Sequence, residues 1–182
     1  MSLGPGNPCH LTAKARMALE KSEVVVGYRT YVGLIDPDLL KGKETISTGM
    51  RGEIHRCKIA IEKTLEGRYT ALVSSGDAGI YGMAGLVLEL LAENELMERV
   101  EFEIIPGIPA LSAAALLGAP LMHDFAVISL SDLMTPWEEI QARVEATLVA
   151  KIFWSICSIS SVWLTKQTKY LDRCVLESLV SG

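Results

Sequence analysis

The sequence has 182 residues, is 49% hydrophobic and 6% aromatic, and carries a formal net charge of −5. This composition is typical of a globular chain with a sizeable core, and the acidic balance disfavours nucleic acid as the main partner. Its four cysteines form no CxxC pair and its three histidines are scattered, so we predict no metal site.

The cysteines are expected to be buried free thiols, which indicates a reducing, cytoplasmic setting. The most apolar stretch, residues 152–164, is shorter than the roughly 20 residues that span a bilayer. We therefore interpret it as a buried core segment, and we expect no membrane partner.

The first half of the chain opens on a loop and then alternates helix and strand. Two prolines and two glycines make GPGNP, residues 4–8, a loop. The patterns that follow predict, in order, a helix over 11–22, a strand over 23–28, an irregular excursion over 29–44 and a helix over 53–66 that Gly67 ends.

The alternation continues beyond Gly67. The predicted elements are a strand over 69–75, a helix over 84–99, a strand over 100–105, a short helix over 110–118, a strand over 125–131 and a helix over 136–148. Such alternation predicts an α/β fold with a mainly parallel sheet. We expect an N-terminal α/β domain over residues 1–118 and a partial C-terminal α/β domain over 119–182.

Three turns of low bulk punctuate this pattern: GPGNP, SSGDAGIYG (residues 74–82) and PGIP (residues 106–109). In a parallel sheet, turns that follow strands meet at one edge, where glycines expose main-chain groups to a ligand. Asp77 would then hydrogen-bond or orient that ligand. The alternative, equally open on these residues, is that the turns are merely tight and that Asp77 caps the next helix.

In this order, GPGNP, SSGDAGIYGMA and EIIPGIPALSAAALLGAPL resemble the tetrapyrrole methylase family, whose members are S-adenosylmethionine-dependent methyltransferases. Four further stretches resemble the branch that methylates C17 of a corrin precursor during ring contraction: VVVGYRTYV, GMRGEIHRC, SSGDAGIYGMA and ISLSDLMTPWEEI. The resemblance covers about residues 4–148. It implies two α/β domains with the cofactor between them, and a homodimer.

The resemblance also implies site residues. S-adenosylmethionine, and S-adenosylhomocysteine as its product, would contact Pro5, Ser75, Gly76, Asp77, Ile80, Pro109 and Ala110. Tyr28, Arg29 and Arg51 are the candidates for contact with the reacting substrate, and they are equally open to interpretation as surface residues. Cobalt would enter only as part of the substrate.

An anionic tetrapyrrole substrate requires a basic rim. The candidates for that rim are Lys14, Arg16, Arg29, Arg51, Arg56 and Lys58. For Lys14, Arg16, Arg56 and Lys58, the alternative is that they form the solvent-facing sides of helices.

Two departures from the family pattern lead to expectations about the ends of the chain. MSL stands where the family has an apolar strand, so we expect an added leader and an unanchored GPGNP loop. After about residue 150 the expected asparagine-proline turn is missing, which indicates a shortened or frame-altered second domain. The alternative functions are another enzyme of this fold (a diphthine synthase or a ribosomal-RNA ribose methyltransferase) and a non-catalytic binding protein.

Overall fold

The computed structural model describes residues 1–109, 111–112, 125–131, 135–149 and 153–157, with residues 148–149 and 153–157 described by their backbone alone. The chain divides into two compact units, Met1–Ala113 and Ala114–Gly182. The boundary after residue 118 stays a prediction. The tail from residue 158 onward, including its predicted helical stripe, lies outside the described residues.

The first unit contains a parallel three-stranded sheet and the helices around it. Its elements are a 3₁₀ turn (Pro8–His10), α1 (Ala13–Lys21), β1 (Val24–Tyr28), α2 (Arg29–Val32), α3 (Pro37–Leu40), β2 (Glu44–Thr48), α4 (Glu53–Leu65), β3 (Thr70–Val73) and α5 (Ala84–Glu93). The strand order is β2-β1-β3, and Val24 is in register with both Glu44 and Thr70. The carboxyl ends of all three strands therefore lie at one edge.

Both faces of this sheet are buried. Val25 packs in a cluster with Leu19 and Ile35, on the side of α1 to α3. Val24 and Val26 pack with Ala60 of α4 on the other side. Successive strand residues point to opposite faces, so an unbroken valine run is what a strand covered on both sides requires.

The predicted excursion over residues 29–44 is wrong in detail. It holds the two short helices α2 and α3, and the edge strand β2 begins at Glu44. Pro37 at the start of α3, with Asp36 accepting a hydrogen bond from the Asp38 N–H at 3.0 Å, accounts for that helix. β2 reads ETIST and is exposed at three of its five residues, and Ile46 is its single apolar residue, so its sequence lacks the apolar run of a buried strand.

The helices α4 and α5 fall where the sequence predicts them, with one change of length. Gly67 has a φ of +83° just beyond α4, which is the left-handed conformation of a helix stop. α5 ends at Glu93, six residues before the predicted end at residue 99, and Glu95 follows with a φ of +54°.

The predicted strand over residues 100–105 is not formed as a strand. Its Ile105 carbonyl instead accepts a hydrogen bond from the Ser2 N–H at 3.1 Å. On the other side, the Leu3 N–H donates to the Ser74 carbonyl at 2.8 Å and the Ser74 N–H donates to the Met1 carbonyl at 3.0 Å. The expectation of an unanchored GPGNP loop is therefore wrong, because residues 1–4 lie hydrogen-bonded between β3 and Ile105.

The second unit shows the same parallel pairing on a smaller scale. β4 (Phe125–Ser129) and β5 (Phe153–Cys157) are parallel neighbours, and α6 (Trp137–Val149) connects them in sequence. Ile140 and Val144 of α6 pack against Ile128 and Leu130. The predicted strand over 125–131 and the helix over 136–148 are confirmed, apart from one or two residues at their ends.

None of the helices in the described part of the chain is long and apolar enough to cross a membrane.

Candidate functional site

The three glycine-rich turns meet at the carboxyl edge of the first unit's sheet. The Gly4 N–H donates to the Gly76 carbonyl at 3.1 Å, and the Gly76 N–H donates back to the Gly4 carbonyl at 2.8 Å. Both residues have positive φ, +69° and +60°, which only glycine adopts without strain. This reciprocal pair joins the GPGNP and SSGDAGIYG turns.

The third turn is fitted against the other two at Gly107. A Cβ atom on Gly107 would lie 2.5 Å from the Gly76 carbonyl oxygen and 2.5 Å from the Ser2 Cβ. Real side chains do not reach such distances. The absence of a side chain at Gly107 is thus what allows main chain to meet main chain here.

Asp77 clamps two of the turns together. Its Oδ1 accepts a hydrogen bond from the Gly79 N–H at 2.7 Å, and its Oδ2 accepts one from the Gly107 N–H at 2.9 Å. Hydrogen bonds to a carboxylate are roughly twice as strong as neutral ones. A carboxylate offers about four acceptor positions, so a ligand donor can still bind to the same group.

The alternative that Asp77 caps the following helix is wrong. The N-cap residue of α5 is Met83, and no side chain makes a capping hydrogen bond there. Met83 lies six positions after Asp77, and the turn between them is closed by the approach of Gly82 to Ala78. A Cβ on Gly82 would lie 2.4 Å from the Ala78 carbonyl oxygen.

Ser2 is a residue of this junction that the sequence did not reveal. Its side chain is buried, its Oγ donates to the Ile105 carbonyl at 2.6 Å, and the same Oγ accepts from the Ala78 N–H at 2.8 Å. Ser2 thereby connects the second turn to the segment that leads into the third. The only feature of the sequence that could have indicated this role is a small polar residue shortly before GPG.

The remaining residues predicted to contact the cofactor lie around this junction. Pro5 and Ile80 are exposed, with 41% of Ile80 accessible, whereas Ser75 and Pro109 are half-buried. The Pro109 carbonyl accepts a hydrogen bond from the Ser112 N–H at 3.1 Å. Ala110 lies outside the described residues.

The terminal ammonium of Met1 is buried next to this junction and donates to the Leu72 carbonyl at 2.7 Å. Burial lowers its pKa from 8.0 to about 6, although the nearby charge of Asp77 opposes the shift. The unfolded chain therefore holds a proton between pH 6 and pH 8 that the folded chain has released. Stability must rise with pH across that window.

We expect the free energy of unfolding to increase by roughly 2 to 3 kcal/mol between pH 5.5 and pH 8.5, because one pKa unit corresponds to about 1.4 kcal/mol. Urea unfolding at several pH values measures this change. Protein acetylated at Met1 is the control and should lose most of the slope. An equal slope in the acetylated protein would contradict the assignment of the effect to Met1.

The two cysteines whose side chains the structure describes differ in exposure. Cys57 is buried on α4, and burial raises the pKa of its thiol to about 11, which keeps it protonated and unreactive. Cys9 is exposed, so the expectation of buried thiols is wrong for this residue. Cys157 and Cys174 fall outside the residues whose side chains are described.

The carboxyl ends of β1 and β2 carry a second group of predicted residues. Tyr28 is half-buried, and Arg29 and Arg51 are exposed. Arg56 was expected either on a substrate rim or on the solvent-facing side of a helix, and both interpretations are wrong. Its side chain is only 4% exposed, with Nη1 donating to Thr48 Oγ1 at 2.7 Å.

The three remaining cations of the expected basic rim lie on helix surfaces. Lys14 pairs with Glu103 and Arg16 pairs with Glu20, while Lys58 is exposed on α4. In the described residues, no group of three or more histidine, cysteine, aspartate or glutamate side chains is arranged to hold a metal ion.

The profile of the Tetrapyrrole (Corrin/Porphyrin) Methylases family matches residues 1–166. A probable cobalt-factor III C(17)-methyltransferase of Salmonella typhimurium is 53% identical over 147 residues, which is 80% of this chain and 60% of the relative. The curated relatives at the head of the comparison are matched over between 33% and 60% of their length. The chain therefore spans a third to three-fifths of those proteins.

Solved structures give the same grouping. The methyltransferase CobJ superposes with a TM-score of 0.78 at 38% identity, covering 85% of this chain and 64% of CobJ. Uroporphyrin-III C-methyl transferase from Thermus thermophilus, in complex with S-adenyl homocysteine, gives a TM-score of 0.53 at 25% identity. That match covers 71% of this chain and 54% of the neighbour.

Proposed function

Because the chain belongs to the tetrapyrrole (corrin/porphyrin) methylase family, we propose that it acts in S-adenosylmethionine-dependent methylation at C17 of a cobalt-containing tetrapyrrole during cobalamin synthesis. The name of the Salmonella relative supports both the position and the cobalt form of the substrate. Under this proposal the metal arrives with the substrate, and ring contraction accompanies the methylation.

The observation that carries the proposal is the clamp at Asp77. One carboxylate holds the Gly79 and Gly107 N–H groups, so two glycine-rich turns are fixed at the carboxyl edge of a parallel sheet. Ligands of open α/β sheets bind outside this edge. The turns expose main-chain N–H and C=O groups with little side-chain bulk. Such a surface suits a ligand that is recognised through its polar groups.

The residues of the junction fit the proposed cofactor. S-adenosylmethionine carries an ammonium group, ribose hydroxyls and a sulfonium, and the remaining lone pairs of Asp77 are suitable acceptors for the first two. Ile80 presents an exposed apolar side chain to the same region. When bound, the cofactor supplies a methyl group on an excellent leaving group.

The work left to the protein is mainly positioning. Methyl transfer to an electron-rich carbon needs an in-line approach and the exclusion of water, and such orientation can supply much of the rate acceleration. The hydrogen-bonded junction formed by Ser2, Gly76 and Asp77 provides a rigid base for that purpose. No general acid or base is required for the transfer itself.

Two assays on the purified chain test the proposal. Calorimetric titration with S-adenosylhomocysteine should show saturable binding, and incubation with S-adenosylmethionine and cobalt-factor III should add one methyl group by mass spectrometry. Binding without transfer would favour a non-catalytic binding protein. A folded chain that does neither would contradict the proposal.

Homodimerisation and a cytoplasmic location are part of the same proposal. Exposed apolar side chains at Met50, Ile54 and Ile80 support self-association, and the buried free thiol of Cys57 is compatible with a reducing compartment. Light scattering coupled to gel filtration should give twice the chain mass. A monomer at micromolar concentration would contradict the dimer and leave the methyltransferase proposal in place.

A further inference from the structure

Three arginines gather where β1 and β2 end. Tyr28 and Thr48, the last residues of these parallel strands, are register partners. Arg29 follows the first strand directly, and the second strand leads through residues 49–52 into α4. This edge of the sheet also carries the glycine-rich junction described above, but none of its three turns includes these residues.

Arg56 ties the ends of both strands to the start of α4. Its Nη1 donates to Thr48 Oγ1 at 2.7 Å and to the Gly49 carbonyl at 2.8 Å. Its Nη2 donates to Glu53 Oε1 at 3.1 Å, and its Cζ lies 5.8 Å from the centre of the Tyr28 ring. The loop between Thr48 and Glu53 is therefore held at both ends by one buried cation.

This arrangement is costly for the fold. A guanidinium that is 96% buried must be desolvated, and one surface-facing carboxylate compensates it only in part. Its Nε has no hydrogen-bond partner among the residues that the structure describes. Buried donors are nearly always paired, so the unpaired Nε–H adds to the cost of keeping Arg56 at this position.

Arg51, at the tip of the loop, is placed at a conformational cost as well. Its φ is +61°, in the left-handed region that glycine adopts freely and an arginine does not. Glycines occupy positions 49 and 52, so the chain uses glycine on both sides of the strained residue but not at it. The backbone alone gives no reason for an arginine here, whereas its exposed cationic side chain does.

We propose that Arg51, held in place by Arg56 and joined by Arg29, binds a carboxylate of the substrate. The inference rests on the proposed function, since a tetrapyrrole precursor carries carboxylates around its rim. Arg51 presents the planar fork that pairs with a carboxylate through two parallel hydrogen bonds. Arg56 is a positioning residue, which acts by fixing the loop between Gly49 and Glu53.

Fluorescence titration with uroporphyrin III, a carboxylate-rich tetrapyrrole, provides the test. Arg51→Gly should weaken binding by about tenfold through loss of one charge-assisted pair. The same substitution removes the strain at φ +61°, so its thermal midpoint should equal or exceed that of the parent. A structural role for Arg51 would move both quantities in the same direction.

Arg99→Gln is the matched control, because Arg99 is exposed beyond the end of α5, away from the carboxyl edge. Its affinity for uroporphyrin III should equal that of the parent. Arg56→Lys keeps the charge and loses the fork, so it should weaken uroporphyrin binding several-fold while leaving S-adenosylhomocysteine affinity unchanged.

The outcomes separate this inference from the proposed function. If Arg51→Gly binds uroporphyrin III as tightly as the parent, or if the folded parent does not bind it, the inference is wrong. S-adenosylhomocysteine binding, measured on the same samples, reports on the proposed function alone. Its loss in the parent would overturn that function whatever the porphyrin titration gives.

Discussion

Replacing Gly107 by alanine is expected to lower the free energy of unfolding by about 3 kcal/mol or more, and to abolish detectable S-adenosylhomocysteine binding. The added Cβ would lie 2.5 Å from both the Gly76 carbonyl oxygen and the Ser2 Cβ. These atoms belong to main chain or sit directly on it, so they cannot rotate away as the end of a long side chain would. Overpacking of this kind usually costs about 1 to 3 kcal/mol, and more where the backbone must shift.

The measurement is a pair of urea unfolding curves, together with calorimetric titration at a temperature where both proteins are folded. Gly85→Ala is the matched control: Gly85 lies within α5, and a Cβ there meets nothing within 4 Å. Replacing this glycine of the first helical turn should leave stability unchanged or raise it by up to about 1 kcal/mol. Equal effects of the two substitutions would show that the junction of the turns is not tightly fitted.

The second large effect is expected at Asp77. Asp77→Asn preserves the shape of the side chain but leaves one oxygen to replace two acceptors, so either the Gly79 or the Gly107 N–H loses its partner. The lost bond is charge-assisted, and its removal should destabilise the fold by about 2 kcal/mol. We expect S-adenosylhomocysteine affinity to fall by at least about tenfold, because the turns that carry the site are no longer clamped.

Asp38→Asn is the control for this substitution. Asp38 lies on α3 and pairs with Lys41 just beyond it, and 76% of the Asp38 side chain is exposed, so the loss of that pair should change stability little. Unfolding and titration data on the two variants show whether the loss comes from the two hydrogen bonds of Asp77 or from the removal of any negative charge. If Asp77→Asn matches the parent in both measurements, the two hydrogen bonds do not hold the site together.

Much of the fold could be predicted because its signals are local. The valine run of β1, the apolar spacing in α4 and the positive φ of Gly67 each depend on residues within one element. β2 could not be predicted in this way. Four of its five residues are polar and three are exposed, and only pairing with β1 makes Glu44–Thr48 a strand.

For the candidate site, the turns that form it could be predicted from the sequence, but the hydrogen bonds that join them could not. Glycine-rich turns after strands led us to predict a ligand-binding edge, and the structure brings those turns together through Gly4, Gly76 and Gly107. The hydrogen bonds of Asp77 and Ser2 join residues 30 and 103 positions apart, respectively. No spacing within a sequence encodes such pairs, and both were missed.

Arg56 shows a second reason why sequence patterns fail to predict where a residue lies. On a helix whose first turn also carries Glu53 and His55, an arginine is typical of the solvent-facing side. It is buried instead, because the end of β2 folds over it and supplies the Thr48 hydroxyl and the Gly49 carbonyl. A tertiary contact thus overrides what the helical pattern alone would indicate.

The central claim is that the joined turns form the cofactor site, and hydrogen-exchange mass spectrometry with saturating S-adenosylhomocysteine tests it most directly. The account predicts slower amide exchange in residues 74–82 and 105–109, with no change in α6. Unchanged exchange at these turns, in a sample that calorimetry shows to be saturated, would place the cofactor elsewhere and contradict the account.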